Sequence, residues 1–406
     1  MMLAAKRMLM RGCMLGILMS FAGGGVGCME DAKVPQLAGA WEPAAGTRKM
    51  PVGVFDMGYG LAKSNQLVVT GGARADGTES PGVWVMDIAT SNWQEGPRLK
   101  EARFGHGQVT LIDGRILVTG GKQFGKKGLK ALRATEILSS DLKSITTGED
   151  LPTAMQTPTM HRLNDGRVVA VGETLACVYD PAAGAWTESI YLRERRMDHA
   201  SAVMNNEKLV VVGGMSRKTI EVVDLKEKSS RLLPVRLPMT LAKMSVVKLD
   251  DDRYWIIGGM DTGTGNTTPR TWMLTFREDG KATLQEAAKL PYKRGICNAI
   301  VVRLQDGVAI LSGESKLELS RMQVKTSLFA TWGKAGTEGS WYGLPAMIKT
   351  HAGGFAFEQS GTITVGGGQT THGEGGGDGG FLFLSFPRPI KEVERYTIPA
   401  IQSSND

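Results

Sequence analysis

The chain of 406 residues is mildly basic, with 48 Lys and Arg against 41 Asp and Glu and a formal net charge of +7. It has no run of five or six like charges, and this even distribution argues against nucleic-acid binding. The four cysteines and five histidines share no metal-ligand spacing, so we expect neither a metal site nor a cofactor.

The first 28 residues have the composition of an export signal. Three basic residues stand before position 12, an apolar stretch follows over 13–22, and small residues lead to Cys28. The ending GVGC (25–28) is similar to a bacterial lipobox, in which the cysteine is lipidated and becomes the first residue of the mature chain. An ordinary secreted protein, released without an anchor, is the alternative.

This resemblance divides the amino-terminal part of the chain. It implies a signal peptide over 1–27 and a lipidated Cys28 with a short tether over 28–36. We therefore expect an exported protein of the bacterial cell envelope, held by its lipid on a membrane at the periplasmic side or at the cell surface. The oligomeric state is left open.

Seven short apolar strands along the rest of the chain each end at a glycine. The matching glycines are Gly71, Gly120, Gly172, Gly213, Gly258, Gly313 and Gly367. The intervals between them are 49, 52, 41, 45, 55 and 54 residues. A period near 50 that is built on strands is typical of a β-propeller with one blade per repeat.

The second half of the repeat carries a further pattern. The strands VWVMD (83–87) and ACVYD (176–180) end in aspartate, and Trp93 and Trp186 follow six residues later. The order of apolar strand, glycine pair, strand with aspartate and then tryptophan resembles the kelch repeat. We therefore predict an all-β fold, a single kelch-type β-propeller over 37–386 with seven four-stranded blades; six blades with an irregular insertion is the alternative.

The two ends of the repeat region indicate how the ring closes. Trp41 in LAGAWEP resembles Trp186 in AAGAWTE, so the segment around Trp41 is predicted to be an outermost strand that completes the last blade. The tail over 387–406 stays unassigned, with an extra edge strand as one interpretation of its YTIPAI stretch.

Two repeats place an Arg-x-x-His pattern at the entrance to the first strand. Looser versions occur in two other repeats. The residues are Arg103 with His106, Arg196 with His199, and singly Arg294 and His351. One interpretation is structural, with these side chains bonding carbonyl groups of neighbouring blades; the other is a half-ring of donors for carboxylates or sugar hydroxyls.

The half-ring leads to the main functional expectation. We predict a non-catalytic recognition module that binds an envelope protein or a polysaccharide at the loop face, without enzymatic activity.

An enzyme is the alternative, and it depends on two residues. Glutamate replaces the second glycine in two repeats, at Glu173 and Glu314, and Glu314 is followed by Arg321. This arrangement is similar to that of bacterial sialate epimerases on a kelch propeller, which implies a carbohydrate-active enzyme with Glu314 and Arg321 as an acid/base pair. Copper-radical oxidases also use this fold, but their Cys–Tyr pair with histidine ligands has no matching pattern in the sequence.

Overall fold

The computed structural model describes residues 34–398, apart from gaps at 45–48, 126–127, 206, 306, 318–319, 324–326, 333–338 and 371–387. The predicted signal peptide, Cys28 and most of its tether lie outside the described residues. So does the side chain of Arg321, although its backbone lies in the strand Ser320–Gln323. In the described part of the chain, no helix is long and apolar enough to cross a membrane.

The described fold is all-β, and its main elements are seven four-stranded antiparallel sheets that follow one another along the chain. Sheet 1 contains Gly58–Ala62, Gln66–Thr70, Val83–Asp87 and Trp93–Glu95. Sheet 2 contains Gly107–Thr110, Ile116–Thr119, Thr135–Leu138 and Ile145–Thr147. Sheet 3 contains Thr159–Arg162, Val168–Val171, Leu175–Asp180 and Ala185–Tyr191.

The other four sheets repeat this meander. Sheet 4 contains Ala200–Asn205, Lys208–Val212, Thr219–Asp224 and Ser229–Arg236. Sheet 5 contains Ser245–Lys248, Arg253–Ile257, Thr271–Phe276 and Ala282–Ala287. Sheet 6 contains Ile300–Leu304, Gly307–Leu311, Ser327–Trp332 and Gly339–Gly343. Sheet 7 contains Phe355–Gln359, Thr362–Gly366, Val393–Thr397 and Glu42–Pro43.

Short two- and three-stranded ribbons extend from the second strands of several sheets. They contain Lys122–Gly125 with Gly128–Ala131, Leu241–Ala242 with Met260–Asp261 and Asn266–Thr267, Glu314–Leu317 with Ser320–Gln323, and Gln369–Thr370 with Arg388–Pro389.

The core lies between the sheets. The second strands are apolar runs rich in β-branched residues, such as VVAV in Val168–Val171, which is buried on both faces. Seven apolar clusters fill the spaces between consecutive sheets, and one of them joins sheet 7 to sheet 1 through Phe355, Tyr59 and Val69. The first strands of consecutive sheets lie against one another, which brings their ends together at one face.

Sheet 7 is assembled from both ends of the described chain. Val393–Thr397 pairs with Thr362–Gly366 on one side and with Glu42–Pro43 on the other. The expectation that the repeat region ends at 386, with an edge strand in the tail, therefore needs correction. Val393–Thr397 is an interior strand, and the two partner strands satisfy its backbone groups on both sides.

Trp41 shows that the amino-terminal segment occupies a standard repeat position. Its indole Nε1 donates to Pro345 O at 2.8 Å, and the indole Nε1 of Trp186 donates to Glu149 O at 3.0 Å. In both cases the accepting carbonyl belongs to the preceding sheet's segment, and a hydroxyl at the start of that sheet's third strand lies nearby. Both rings are buried.

The glycine pairs stand where the chain leaves the second strand. Gly71 and Gly72, for example, have φ of 62° and 99°, a region that only glycine adopts readily. In the sixth repeat the positive φ values fall on Ser312 and Gly313, so Glu314 follows the pair rather than replacing its second glycine. This alignment gives Glu314 the same position as Lys122 and Gln369, which also form the first residue after the pair.

Candidate active site at the converging turns

A cavity of about 420 Å³ opens where the turns before the seven first strands converge. In every sheet the residue two positions before the first strand lines it. We call these residues the turn ring: Asp56, Gly105, Thr157, Asp198, Lys243, Asn298 and Gly353. A single cavity thus collects one residue from each repeat.

The backbone of the turn ring is tightly held. Six of its members have φ between 50° and 67°, and Thr157 is the exception. Peptide groups of the ring are also hydrogen-bonded head to tail in two arcs: Gly353, Asp56 and Gly105 form one, and Asp198, Lys243 and Asn298 form the other. Their N···O distances lie between 2.7 and 3.0 Å.

Charged groups of both signs face the cavity. Asp56 and Asp198 contribute carboxylates, while Lys243 and Lys122 contribute ammonium groups. Asn298 adds an amide that both donates and accepts. The charged groups that line the described cavity therefore balance.

The carboxyl of Asp56 has a raised pKa. Its side chain is open to the cavity but enclosed by the surrounding turns, and this desolvation raises the pKa of its carboxyl above the ordinary value. Lys122 and Lys243 oppose the shift, whereas the negative charges of Glu314 and Asp198 add to it. The balance favours the protonated form of Asp56 more than in an ordinary aspartate.

Two glycines of the ring leave room for these side chains. A Cβ atom at Gly353 would lie 2.7 Å from Oδ1 of Asp56, and one at Gly105 would lie 3.0 Å from Cε of Lys122. A side chain at either position would thus crowd the adjacent functional group, and glycine also adopts the positive φ of the turn most readily.

His106 and His199 line the same cavity as neutral imidazoles. Desolvation is the main cause that lowers the pKa of His106 to about 3 and of His199 to about 4. Nε2 of His106 lies 2.8 Å from Oγ1 of Thr70, and Nδ1 of His199 lies 2.9 Å from the carbonyl oxygen of Arg196. Because a carbonyl only accepts, Nδ1 of His199 carries the proton.

Two arginines of the predicted half-ring, Arg103 and Arg196, are buried and bonded within the protein. Arg103 donates to Gly120 O, Ala134 O and the carboxylate of Glu136, and its side chain is fully buried. Arg196 is equally buried and donates to Gly213 O, Thr219 O and Glu221.

His351 occupies the corresponding position in sheet 7. It lies between Gly367 O and the carboxylate of Glu394, at 2.9 and 3.1 Å. In this respect the structural interpretation of these side chains fits the contacts, whereas a ligand-binding role stays a prediction.

Arg294 and Glu314 lie in segments that adjoin the turn ring. Arg294 is half-buried before Asn298, and its carbonyl accepts from Thr267. Glu314 is buried next to Cys297 and accepts from Nε2 of Gln369 at 3.3 Å. The strand that contains Arg321 pairs with the strand that begins at Glu314, with Lys316 opposite Arg321.

The sequence analysis missed Asp56, Lys122, Asp198 and Lys243. Their distance in sequence from the repeat's glycine, rather than their residue type, could have identified these positions. Asp56 stands 15 residues before Gly71, and the same interval separates Asp198 from Gly213 and Lys243 from Gly258.

Comparisons with known proteins support the fold more than an activity. No family model matches the chain. Among curated proteins, the tRNA wybutosine-synthesizing protein 4 of Saccharomyces cerevisiae is 33% identical over 61 residues, which is 15% of this chain and 9% of that protein. The match thus spans less than a tenth of that relative's length.

Two solved structures share the architecture over most of the chain. A fungal alcohol oxidase of the AA5 family, in complex with copper, has a TM-score of 0.64 at 17% identity, covering 90% of this chain and 77% of that one. The structure of YjhT has a TM-score of 0.50 at 12% identity, covering 85% and 95%. These likenesses establish an all-β fold of propeller-like four-stranded sheets.

The prediction of a non-catalytic recognition module is wrong. The solved structures that share the fold include an alcohol oxidase, so the fold gives no support to a purely non-catalytic role. Two arginines of the half-ring on which the prediction depended, Arg103 and Arg196, are also buried and bonded internally.

A copper centre does not fit the described cavity. Within the ranges that the structure describes, no group of three or more His, Cys, Asp or Glu side chains could hold a metal ion. The two histidines that line the cavity are hydrogen-bonded to Thr70 and to Arg196 O. Cys177 and Cys297 are both buried.

Proposed function

We propose that this chain is a carbohydrate-active enzyme that moves protons at the anomeric centre of a sugar bound against the turn ring. The observation that carries the proposal is Asp56, a carboxyl with a raised pKa that faces the cavity beside Lys122 and Lys243. A carboxyl of this kind both donates and accepts a proton closer to neutral pH than an ordinary aspartate does.

The cavity has the size and polarity for one sugar ring. Pockets for small ligands commonly measure about 300–1,000 Å³, and the present one falls in that range. Sugar hydroxyls require donors and acceptors side by side, which the carboxylates, the ammonium groups and Asn298 supply. Because Arg103 and Arg196 are occupied internally and offer no guanidinium to a carboxylate, we favour a neutral sugar over an acidic one.

In the proposed reaction Asp56, in its protonated form, donates to the ring oxygen of the sugar. Asp198, which lies in the other hydrogen-bonded arc of the turn ring, accepts the proton of the sugar's anomeric hydroxyl. The bond between the anomeric carbon and the ring oxygen breaks and leaves an open-chain carbonyl. Rotation and the reverse proton transfers close the ring on the other face, so that no cofactor or co-reactant is consumed. Glu314 contributes by favouring the protonated form of Asp56.

We also propose that the seven sheets are the blades of a closed, seven-bladed kelch-type propeller. The cluster between sheets 7 and 1 and the pairing of Glu42–Pro43 with Val393–Thr397 support a closed ring.

We propose separately that a lipid on Cys28 anchors the protein in the cell envelope. Loss of membrane attachment in Cys28→Ser would support this anchor.

The test of the activity is anomer exchange, measured by NMR with the full chain and a panel of neutral monosaccharides. We expect Asp56→Asn to lower the catalysed rate by about 10²-fold or more while leaving the fold intact. Asp113→Asn is the matched control, because Asp113 lies on an exposed turn and pairs with Arg115. No catalysed exchange by the unmodified protein, or equal rates in both variants, would contradict the proposal.

A further inference from the structure

We propose that Phe124 is a stacking platform for a second sugar unit, so that the substrate is a glycoside of at least two units. Phe124 lies on the hairpin formed by Lys122–Gly125 and Gly128–Ala131, which we call the sheet-2 hairpin. This inference rests on the proposed function, because it extends the same site outward from the cavity.

The hairpin begins next to the turn ring. Lys122, its first residue, lines the cavity and exchanges backbone hydrogen bonds with Phe104 at 2.9 and 3.1 Å. Phe104 directly precedes Gly105 of the turn ring. Since side chains at i and i+2 of a strand share one side, Lys122 and Phe124 project from the same side of the hairpin.

The ring of Phe124 is held in place and remains accessible. It stacks on Phe104 with 4.7 Å between ring centroids and 20° between planes, and Phe104 is itself buried. The amino group of Lys122 lies 5.1 Å from the centroid of the Phe104 ring. Yet 45% of the surface of Phe124 is exposed. An ordered, half-exposed aromatic ring beside a polar cavity offers a flat apolar surface at little entropic cost.

Contacts at the base of the hairpin oppose its displacement. Nε2 of Gln123 donates to Ala102 O at 2.9 Å, and the backbone N–H of Phe124 donates to Glu79 of the sheet 1 loop at 3.4 Å. Leu129 lies directly opposite Phe124 and is also exposed, so the apolar surface has a second member.

A sugar unit is the occupant that fits this combination. The face of a pyranose presents C–H groups, which pack on the negative face of an aromatic ring, while its hydroxyl edge needs polar partners. Phe124 supplies the ring and Lys122 supplies a donor on the side toward the cavity. A sugar unit next to the one in the cavity would meet both groups.

The experiment compares reducing disaccharides with their monosaccharides, maltose with glucose and lactose with galactose, as substrates for anomer exchange by the full chain. Phe124→Ala should lower kcat/KM for the disaccharide by about tenfold, the scale of one lost aromatic contact, and leave the monosaccharide within about twofold. Phe124→Trp should retain the disaccharide activity.

Ile112→Ala is the matched control. Ile112 is 55% exposed in the same sheet, at the turn after the first strand and therefore at the end away from the cavity. Its removal should change neither substrate.

The outcomes separate the two proposals. If the unmodified protein turns over monosaccharides but disaccharides gain nothing and Phe124→Ala affects both equally, the platform is refuted and the proposed function stands. If no sugar is turned over and Asp56→Asn behaves like the unmodified protein, both are overturned.

Discussion

Nη2 of Arg103 lies 2.7 Å from Oε1 of Glu136, and both side chains are buried. The same carboxylate accepts the backbone N–H groups of Lys100 and Glu101. Glu394 repeats the arrangement in sheet 7, where it accepts the N–H groups of Ile348 and Lys349 and contacts His351. In both sheets a buried glutamate on the third strand thus accepts hydrogen bonds from the segment that leads into the first strand of the same sheet.

Removal of Arg103 should therefore destabilise the protein. Arg103→Ala leaves Glu136 buried without its counter-charge, and we expect a loss of about 3–5 kcal/mol in the free energy of unfolding. Arg167→Ala is the control, because Arg167 pairs with Asp165 in a solvent-accessible turn and should lose less than about 1 kcal/mol. Denaturant unfolding measures both; equal losses would contradict the assignment.

The cavity histidines should make the fold sensitive to mild acid. The pKa of His199 is lowered to about 4, so protons bind the unfolded chain first as the pH falls below about 6.5. Stability should decrease by about 2 kcal/mol per histidine between pH 6.5 and 5, and His106 and His161 should contribute in the same direction. Unfolding curves at several pH values measure the slope, which should become shallower in His199→Asn. An unchanged slope would mean that His199 has the same pKa in the folded and unfolded states, against the proposed desolvation.

Gly353→Ala should disturb Asp56 specifically. The new Cβ would stand 2.7 Å from Oδ1 of Asp56, and the positive φ adds about 1 kcal/mol of strain. Gly361→Ala introduces similar strain at φ 77° with no atom within 4 Å. Both variants should lose similar stability in thermal unfolding. Only Gly353→Ala should also reduce anomer exchange and shift its pH profile; a parallel effect in Gly361→Ala would attribute the defect to strain alone.

Trp41→Ala should loosen sheet 7. The buried indole and its hydrogen bond to Pro345 O are lost, at about 3–5 kcal/mol. Trp186→Ala removes the equivalent ring from sheet 3 and should have a loss of similar size. Hydrogen exchange distinguishes them, because only Trp41→Ala should speed exchange along Val393–Thr397, the strand that pairs with Glu42–Pro43. Equal protection in both variants would show that Trp41 does not hold that pairing.

The repeat was predictable because its signals are local. An apolar strand that ends at Gly71 needs a positive φ at a fixed place, whatever the rest of the chain does. The position of Trp186 followed in the same way from the turn before it. Val393–Thr397 was harder to assign, since its alternating VERYT reads as a charged tail until a partner strand lies on each side.

The candidate site resisted prediction for a different reason. From the sequence alone, Arg103 is predicted to be a hydrogen-bond donor on a loop. In the structure it is buried against Glu136, which lies on a strand 33 residues later. The turn ring has no common residue type, since it contains Asp56, Asp198 and Lys243 but also Thr157 and two glycines, and each of the seven turns supplies one residue to the cavity. Their chemistry arises from convergence in space, which a single repeat does not encode.

The two hydrogen-bonded arcs of the turn ring have a mechanical consequence. Within an arc each turn is tied to the next by one backbone N–H···O hydrogen bond, so separating Gly353, Asp56 and Gly105 from one another, or Asp198, Lys243 and Asn298, would break such a bond. No such bond joins Thr157 to its neighbours, or Asn298 to Gly353, in the described chain. Widening of the entrance is therefore expected at Thr157 and between Asn298 and Gly353. These two breaks separate the arc that contains Asp56 from the arc that contains Asp198.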